Sequence, residues 1–352
     1  MTELDILLPF GLPPPELAGD LLKQLDAPSL ALLSSRAKSE NGRHETVDGF
    51  RRALPHEQWL ARQFGLDASE KTNSSPAIAA AWMPELDLSP DPGTWFALQP
   101  VHIHIARDHL VLTDPRQLVL SEDDSRALFE IAAPLFEEAG KRVLYGNATT
   151  WFVEADEWRD LETATPDAAA GHNIDIWMPK GPGERDWRKV QNEVQMHWYG
   201  HPLNDEREAR GLKPVNSLWL WAGPSTHGQE KRCHYDKAFN LSGYQRALRQ
   251  YLPAHGEASN AADLVSSAAG RNMLYLDDLL EPALANDWGR WLGHMQHLEE
   301  SWFAPLLEAL QSGRIDTVSL IATHDSRISR FTVTRSSLRK FWVKPSLTPL
   351  CP

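Results

Sequence analysis

Apolar positions along this chain repeat with two periods, and the periods sort it into strands and helices. Short, nearly continuous apolar runs at Leu4–Leu8, Ser217–Trp221, Asn272–Leu276 and Thr317–Ala322 predict buried strands. Apolar on both faces, Ser217–Trp221 suits a central strand of a parallel sheet covered by helices. Helical spacing predicts helices over Leu17–Leu25, Leu54–Asp67, Glu122–Ala139 and Trp288–Leu310. Trp187, Val190, Val194 and Trp198 form the apolar stripe of another. Ser121 is the expected N-cap of Glu122–Ala139, with Asp124 in the capping-box position. Phe96–Ile105, Arg142–Tyr145 and Thr150–Val153 read as further strands, and RFTVTRSSLRKFW alternates like an edge strand. Strands interleaved with helices predict an α/β protein.

The densest polar group lies between the Trp187–Trp198 stripe and the Ser217–Trp221 run. Pro202 biases His201 away from helix, Asn204 or Asp205 caps a brief helix, Gly211 closes it and Pro214 blocks its return. His201, Asn204, Arg207, Arg210 and Asn216 gather there as donors beside a buried strand, the composition of an anion-binding elbow. In the competing reading Arg207 pairs with an internal carboxylate and the elbow only fastens the fold.

Open parallel sheets bind ligands at the carboxyl ends of their strands. Gly11, Gly223, Asp277, Asp278, His324 and Asp325 stand at those ends, and the last four are candidate metal ligands. His102 and His104 share a strand face and could meet a metal, although paired polar side chains on a half-exposed strand are commoner. His227, Cys233, His234 and Asp236 fit no standard metal spacing and read as a solvated loop. His294, His297 and Glu300 echo a di-metal carboxylate helix but lack the partner helices such a centre needs. Residues 36–52, 71–92 and 253–270 read as loops or linkers, and PKGPGERDW as a hinge.

At 352 residues, 42% hydrophobic and 24% charged, the chain has the make-up of a soluble globular protein. A formal charge of -13 argues against nucleic acid as a partner. The opening residues carry no positively charged leader, and no apolar run has the length of a membrane span, so a cytoplasmic protein is expected. Cys233 and Cys351 read as free thiols.

The pattern H-P-x-N-x-x-R-x-x-x-G-x-x-P-x-N-S-L-W-L-W-x-G, carried by His201, Pro202, Asn204, Arg207, Gly211, Pro214 and Asn216, resembles a segment of the archaeal-type cofactor-independent phosphoglycerate mutases. These belong to the alkaline phosphatase superfamily. The resemblance extends to bacterial mutase-like proteins and to regulators encoded with pathogenicity-factor genes, the Rpf type. It implies an alkaline-phosphatase-like, mostly parallel sheet with flanking helices and an inserted α+β subdomain. The expected division is 1–94 as the first part of the core, 95–183 as the insert and 184–352 as the second part.

The same resemblance implies two divalent ions, Mn or Zn, and a hydroxyl nucleophile. The family's first strand ends in Asp-Gly, where this chain has Pro9-Phe10-Gly11. His56 occupies the place of the nucleophilic serine and is the candidate catalytic residue; its bland reading is a polar residue near a helix start. Thr323, His324 and Asp325 invert the family's Asp-His-Ser/Thr order. A pseudoenzyme is therefore expected: mutase architecture, no two-metal centre and no resident cofactor, with a phosphorylated small molecule or a protein as partner. The alternatives are an active mutase or phosphatase on a phosphorylated three-carbon acid, or a protein-interaction module without catalysis.

Overall fold

The computed structural model describes residues 1–38, 44–46, 50–66, 73–223 and 233–351. Its strands are β1 (Glu3–Leu8), β2 (His44–Thr46), β3 (Trp95–Val101), β4 (Ile103–Ala106), β5 (His109–Leu112), β6 (Arg142–Asn147) and β7 (Thr150–Glu154). They continue with β8 (Ser217–Trp221), β9 (Lys237–Phe239), β10 (Ala254–Gly256), β11 (Arg271–Tyr275), β12 (Thr317–Thr323) and β13 (Arg327–Thr334). The chain forms two compact units, Met1–Gly49 with Arg232–Pro352, and Phe50–Lys231. The positions expected as boundaries, 94 and 183, both fall within the second unit.

The first unit holds a seven-stranded sheet in the order β10-β9-β11-β1-β12-β13-β2. Its pairings from β10 to β12 are parallel, and β13 alone runs against the other strands, pairing antiparallel with β12 on one side and β2 on the other. Leu4, Ile6, Leu7 and Leu8 of β1 are buried, as a strand covered on both faces requires. Asp5 is buried among them and is not left unpaired. Tyr235 Oη donates to it at 2.8 Å and Arg330 Nη2 at 3.1 Å.

The periodic segment Trp288–Leu310 is interrupted. Trp288–Leu298 and Ala304–Ser312 are α-helical, joined by a π turn over Glu299–Phe303. The turn directs the buried Glu299 carboxylate to the backbone N–H groups of Ser29 and Leu30, at 2.7 and 3.0 Å. Those amides open the helix Pro28–Ser35, whose own N-cap, Ala27, offers no side-chain acceptor. The π turn thus delivers a charge-assisted cap from a distant part of the chain.

The second unit is built on a four-stranded sheet, β6-β7-β3-β8, antiparallel throughout. This corrects the expected place of Ser217–Trp221. β8 is an end strand paired antiparallel to β3, not a central strand of the parallel sheet. Its apolar run has another cause, since both of its faces are covered within this unit. Leu218 and Leu220 join a core with Trp187, Val190 and Val194. On the other face Trp221 meets Trp82 edge to face, and Trp219 Nε1 donates to the Ala164 carbonyl at 2.8 Å. Periodicity reports coverage of both faces, not strand direction.

Phe96–Ile105 is likewise split at His102, with β3 in the four-stranded sheet and β4 in a hairpin with β5. The helix Glu122–Glu138 begins at Ser121, whose Oγ accepts the Asp124 N–H at 3.1 Å, as expected. The short helix Ala79–Trp82 lies inside the stretch expected as a linker. Paired tryptophans dominate the core: Trp151 meets Trp198 edge to face at 6.0 Å, and Trp158 meets Trp187 at 5.7 Å. Such pairs add about 1 kcal/mol each beyond their burial.

Candidate functional site

Three places collect the candidate side chains, and the polar elbow is the first. Pro202–Ala209 forms the expected short helix, His201 is its N-cap, and Gly211 follows it with φ of +74°, which a side chain would strain. The His201 ring nitrogen Nδ1 accepts the Leu203 N–H at 3.2 Å. Asn204 Nδ2 donates to the carbonyls of Trp198 and Val215, while its Oδ1 accepts the Val215 N–H at 2.8 Å. Asn216 exchanges two hydrogen bonds with the Ile103 backbone, copying a strand partner.

Arg207 is 0% exposed. Its Nε donates to the Lys213 carbonyl at 3.1 Å, Nη2 to the Val119 carbonyl at 2.8 Å and Nη1 to Asp124 Oδ2 at 2.8 Å. Arg210 is exposed and reaches the same Asp124 oxygen at 3.3 Å. The buried donors of Asn204, Arg207 and Asn216 are thus engaged by the fold, which is the internal pairing set against the anion-binding reading, while Arg210 stays exposed. Arg207 ties the elbow to the first turn of the Glu122–Glu138 helix, where a carboxylate also suits the helix dipole.

The second place is the carboxyl edge of the parallel sheet. The register of β1 with β11 and β12 sets the end of β1 between Asp277 and the Thr323–His324 segment. Asp277 follows β11 and His324 follows β12, so the two come from strands on opposite sides of β1. A donor at the end of β1 would have to bridge them, and Phe10 is there. It adopts φ of 54°, an uncommon conformation for a bulky side chain. Its carbonyl accepts Trp291 Nε1 at 2.9 Å, and its ring packs edge-on to His324 at 5.9 Å.

Asp277 accepts a hydrogen bond from Ser242 Oγ, and Asp278 is half-buried beside it. His324 pairs through Nδ1 with Asp325. Burial pushes the Asp325 carboxyl up, but its contacts with His324 outweigh this and hold it at about 2. These four residues do not gather into one ligand set among the described residues. The donor set does not fit the two-metal centre that the family resemblance implies, because a bridging acid is missing where Phe10 stands.

The third place was only half visible in the sequence. His56 lies in the first turn of the helix Pro55–Gln63 and is 1% exposed. Glu57, next to it, is also buried, and Asp167 comes from the short helix Pro166–Ala169. One ligand atom from each of the three lies within 4.8 Å of the others, a group that could hold a metal ion. Glu57 Oε2 accepts the Leu54 N–H and the Thr165 hydroxyl, both at 2.7 Å. Thr165 Oγ1 accepts the Ala168 N–H in turn, so one hydroxyl joins two helix starts.

Arg116 grips Asp167 through two parallel bonds, at 2.8 and 3.2 Å, and also meets Asp114 at 3.0 Å. Burial disfavours its charge, yet Asp167 and Asp114 outweigh that and keep its proton bound more tightly than usual. Burial raises the Asp114 carboxyl above its ordinary range. His56 is pushed down to about 4, chiefly by burial, with Asp167 opposing and Arg116 assisting. Its imidazole is therefore neutral near pH 7. Close by in the chain, the buried Arg52 donates to the carbonyls of Ile176, Trp177 and Met178.

His102 and His104 do stack, with ring centres 5.8 Å apart. Their ring nitrogens are engaged by the Pro214 carbonyl and the Thr113 hydroxyl, respectively. His297 and Glu300 lie on the exposed side of their helix. Of the polar loop, His227 lies outside the described residues, and Cys233 lies next to the Tyr235 backbone. The sequence marked His56 but not Glu57, Asp167, Arg116 or Thr165. Thr165-Pro166-Asp167 has the form of a helix start, yet its meeting with His56 is a tertiary event.

No protein-family model matches this chain, and no curated protein matches it. Several solved structures are similar to it, among them the following two. The cofactor-independent phosphoglycerate mutase from Thermoplasma acidophilum DSM 1728 aligns at 13% identity with a TM-score of 0.46, covering 99% of this chain and 94% of that one. The PH0037 protein from Pyrococcus horikoshii aligns at 12% identity with a TM-score of 0.52, covering 95% and 87%. The second likeness shows a shared fold: mixed α/β, with a mostly parallel central sheet and flanking helices. Among the described residues no helix is long and apolar enough to cross a membrane.

Proposed function

We propose that this protein is a phosphoglycerate-mutase-like pseudoenzyme. In this reading it keeps the architecture without the two-metal centre and serves a regulatory role by binding a phosphorylated small molecule or a protein. The observation that carries the reading is Phe10 at the end of β1, between Asp277 and His324. A binuclear centre needs a charged oxygen donor at such a bridging position, and a phenylalanine supplies none. Kinship with Rpf-type regulators, a cytoplasmic location and a ligand cleft belong to the same proposal. The committed hydrogen bonds of Asn204, Arg207 and Asn216 argue for a cleft that does not depend on the elbow.

A second reading is catalysis on a phosphorylated three-carbon acid through a His56 phosphoenzyme. The neutral imidazole beside two carboxylates favours it, and its 1% exposure opposes it, since a nucleophile must reach its substrate. Thermal unfolding with 3-phosphoglycerate, 2-phosphoglycerate or inorganic phosphate, each with EDTA or Mn²⁺, separates these readings. Ligand at about a hundred times its dissociation constant adds roughly 2.7 kcal/mol. The pseudoenzyme reading expects stabilisation by a phosphoglycerate that persists in EDTA, with no mutase turnover. Stabilisation that requires Mn²⁺, accompanied by turnover, overturns it.

A further inference from the structure

In the second unit, two adjacent side chains on one helix start and a third from another helix meet as a set of ligand types. His56, Glu57 and Asp167 bring one nitrogen and two carboxylate oxygens within 4.8 Å of one another. The geometry points to a mononuclear site for a borderline divalent cation, Zn²⁺ or Mn²⁺, bound by His56, Glu57 and Asp167. It uses none of the strand-end residues of the parallel sheet.

One imidazole with two carboxylates is a ligand mixture that both ions accept. Bonds of roughly 2.1 Å place tetrahedral ligand atoms about 3.4 Å apart, so atoms within 4.8 Å of one another need to draw in by at most about 1.4 Å. Each carboxylate is held from behind, as ligands in metal sites commonly are. The Leu54 N–H and the Thr165 hydroxyl donate to Glu57, and Arg116 donates to both oxygens of Asp167.

The charge also fits. Arg116 lies between Asp114 and Asp167 and offsets one of the three carboxylates that include Glu57. Glu57 and Asp167 supply carboxylate oxygens, donors that a divalent ion accepts. The Asp167 side chain remains 14% exposed, which gives an ion a way in.

The test is metal binding by the full chain, first stripped with chelator and then titrated separately with Zn²⁺ and Mn²⁺. Metal content after gel filtration and the thermal midpoint are the readouts. The expected result is one ion per chain at this site and a raised midpoint, with D167N and H56N each weakening binding by more than about tenfold. H104N should leave the affinity unchanged. Should D167N and H56N fail to fold, T165V carries the test, because it removes the hydroxyl that donates to Glu57 and caps the helix bearing Asp167 while leaving all three ligands in place, and it should weaken binding about tenfold. No retained ion, or an affinity unchanged in these variants, overturns the site.

Discussion

Two polar groups in the second unit look alike in sequence and differ in kind. The elbow from His201 to Asn216 and the group around His56 both set charged side chains on a short helix, in the last turn of one and the first turn of the other. In the elbow, donors outnumber acceptors in the side chains, and the backbone makes up the difference. Arg207 takes two carbonyls and one carboxylate, and Asn204 takes two carbonyls and one N–H. Around His56, acceptors accumulate: two carboxylates and an imidazole face one another with Arg116 behind them. A donor-rich group closes on itself because carbonyls are everywhere in a folded chain. An acceptor-rich group calls for donors or a cation, and the proposed site at His56 supplies a place for the latter.

The comparison breaks most easily at Arg207. Replacing it with alanine removes three hydrogen bonds and leaves Asp124 with only the exposed Arg210. A loss of roughly 3–5 kcal/mol in chemical unfolding is expected, with phosphate affinity unchanged in whatever fraction remains folded. Full stability with abolished anion binding would restore the elbow as a ligand site.

His56 gives the next largest effect, in acid. Its folded value near 4 lies below the ordinary 6.5, so the unfolded chain binds the proton more tightly. The stability from the neutral ring is complete above about pH 6.5 and is lost as the pH falls towards 4, by roughly 3 kcal/mol. Unfolding of the EDTA-treated protein at stepped pH should show this slope, and H56Q should flatten it. An unchanged slope in the variant would assign the acid sensitivity to another group.

Asn204→Ala should cost about 1–3 kcal/mol, because the Val215 N–H and two carbonyls lose their buried partner. At the small end, Arg210→Ala should change stability by less than about 1 kcal/mol, since its bond to Asp124 is solvent-exposed on the arginine side. Equal effects from Arg207 and Arg210 would mean that burial does not separate them.

Sequence pattern carried much of the fold and less of the site. The β1, β11 and β12 runs and the Ser121 cap were legible because burial and capping are written locally. The partner of β8 was not, since an apolar run covered on both faces looks the same in a parallel or an antiparallel sheet. Nor was the π turn at Glu299–Phe303, whose cause lies at Ser29 and Leu30, far away in the chain. His56 stood out through the family resemblance, whereas Asp167 reaches it only after the chain has folded. The elbow shows the opposite case. Its donors were easy to read, and the carbonyls that consume them were invisible, because every residue has one.

The most direct test of the whole account is the number of divalent ions per chain at saturation, measured for the wild type, D167N and H324A. The account predicts a single ion in the wild type and in H324A, with D167N much weakened. Two ions per chain, lost in H324A and indifferent to D167N, would contradict it and place a binuclear centre at the edge of the parallel sheet.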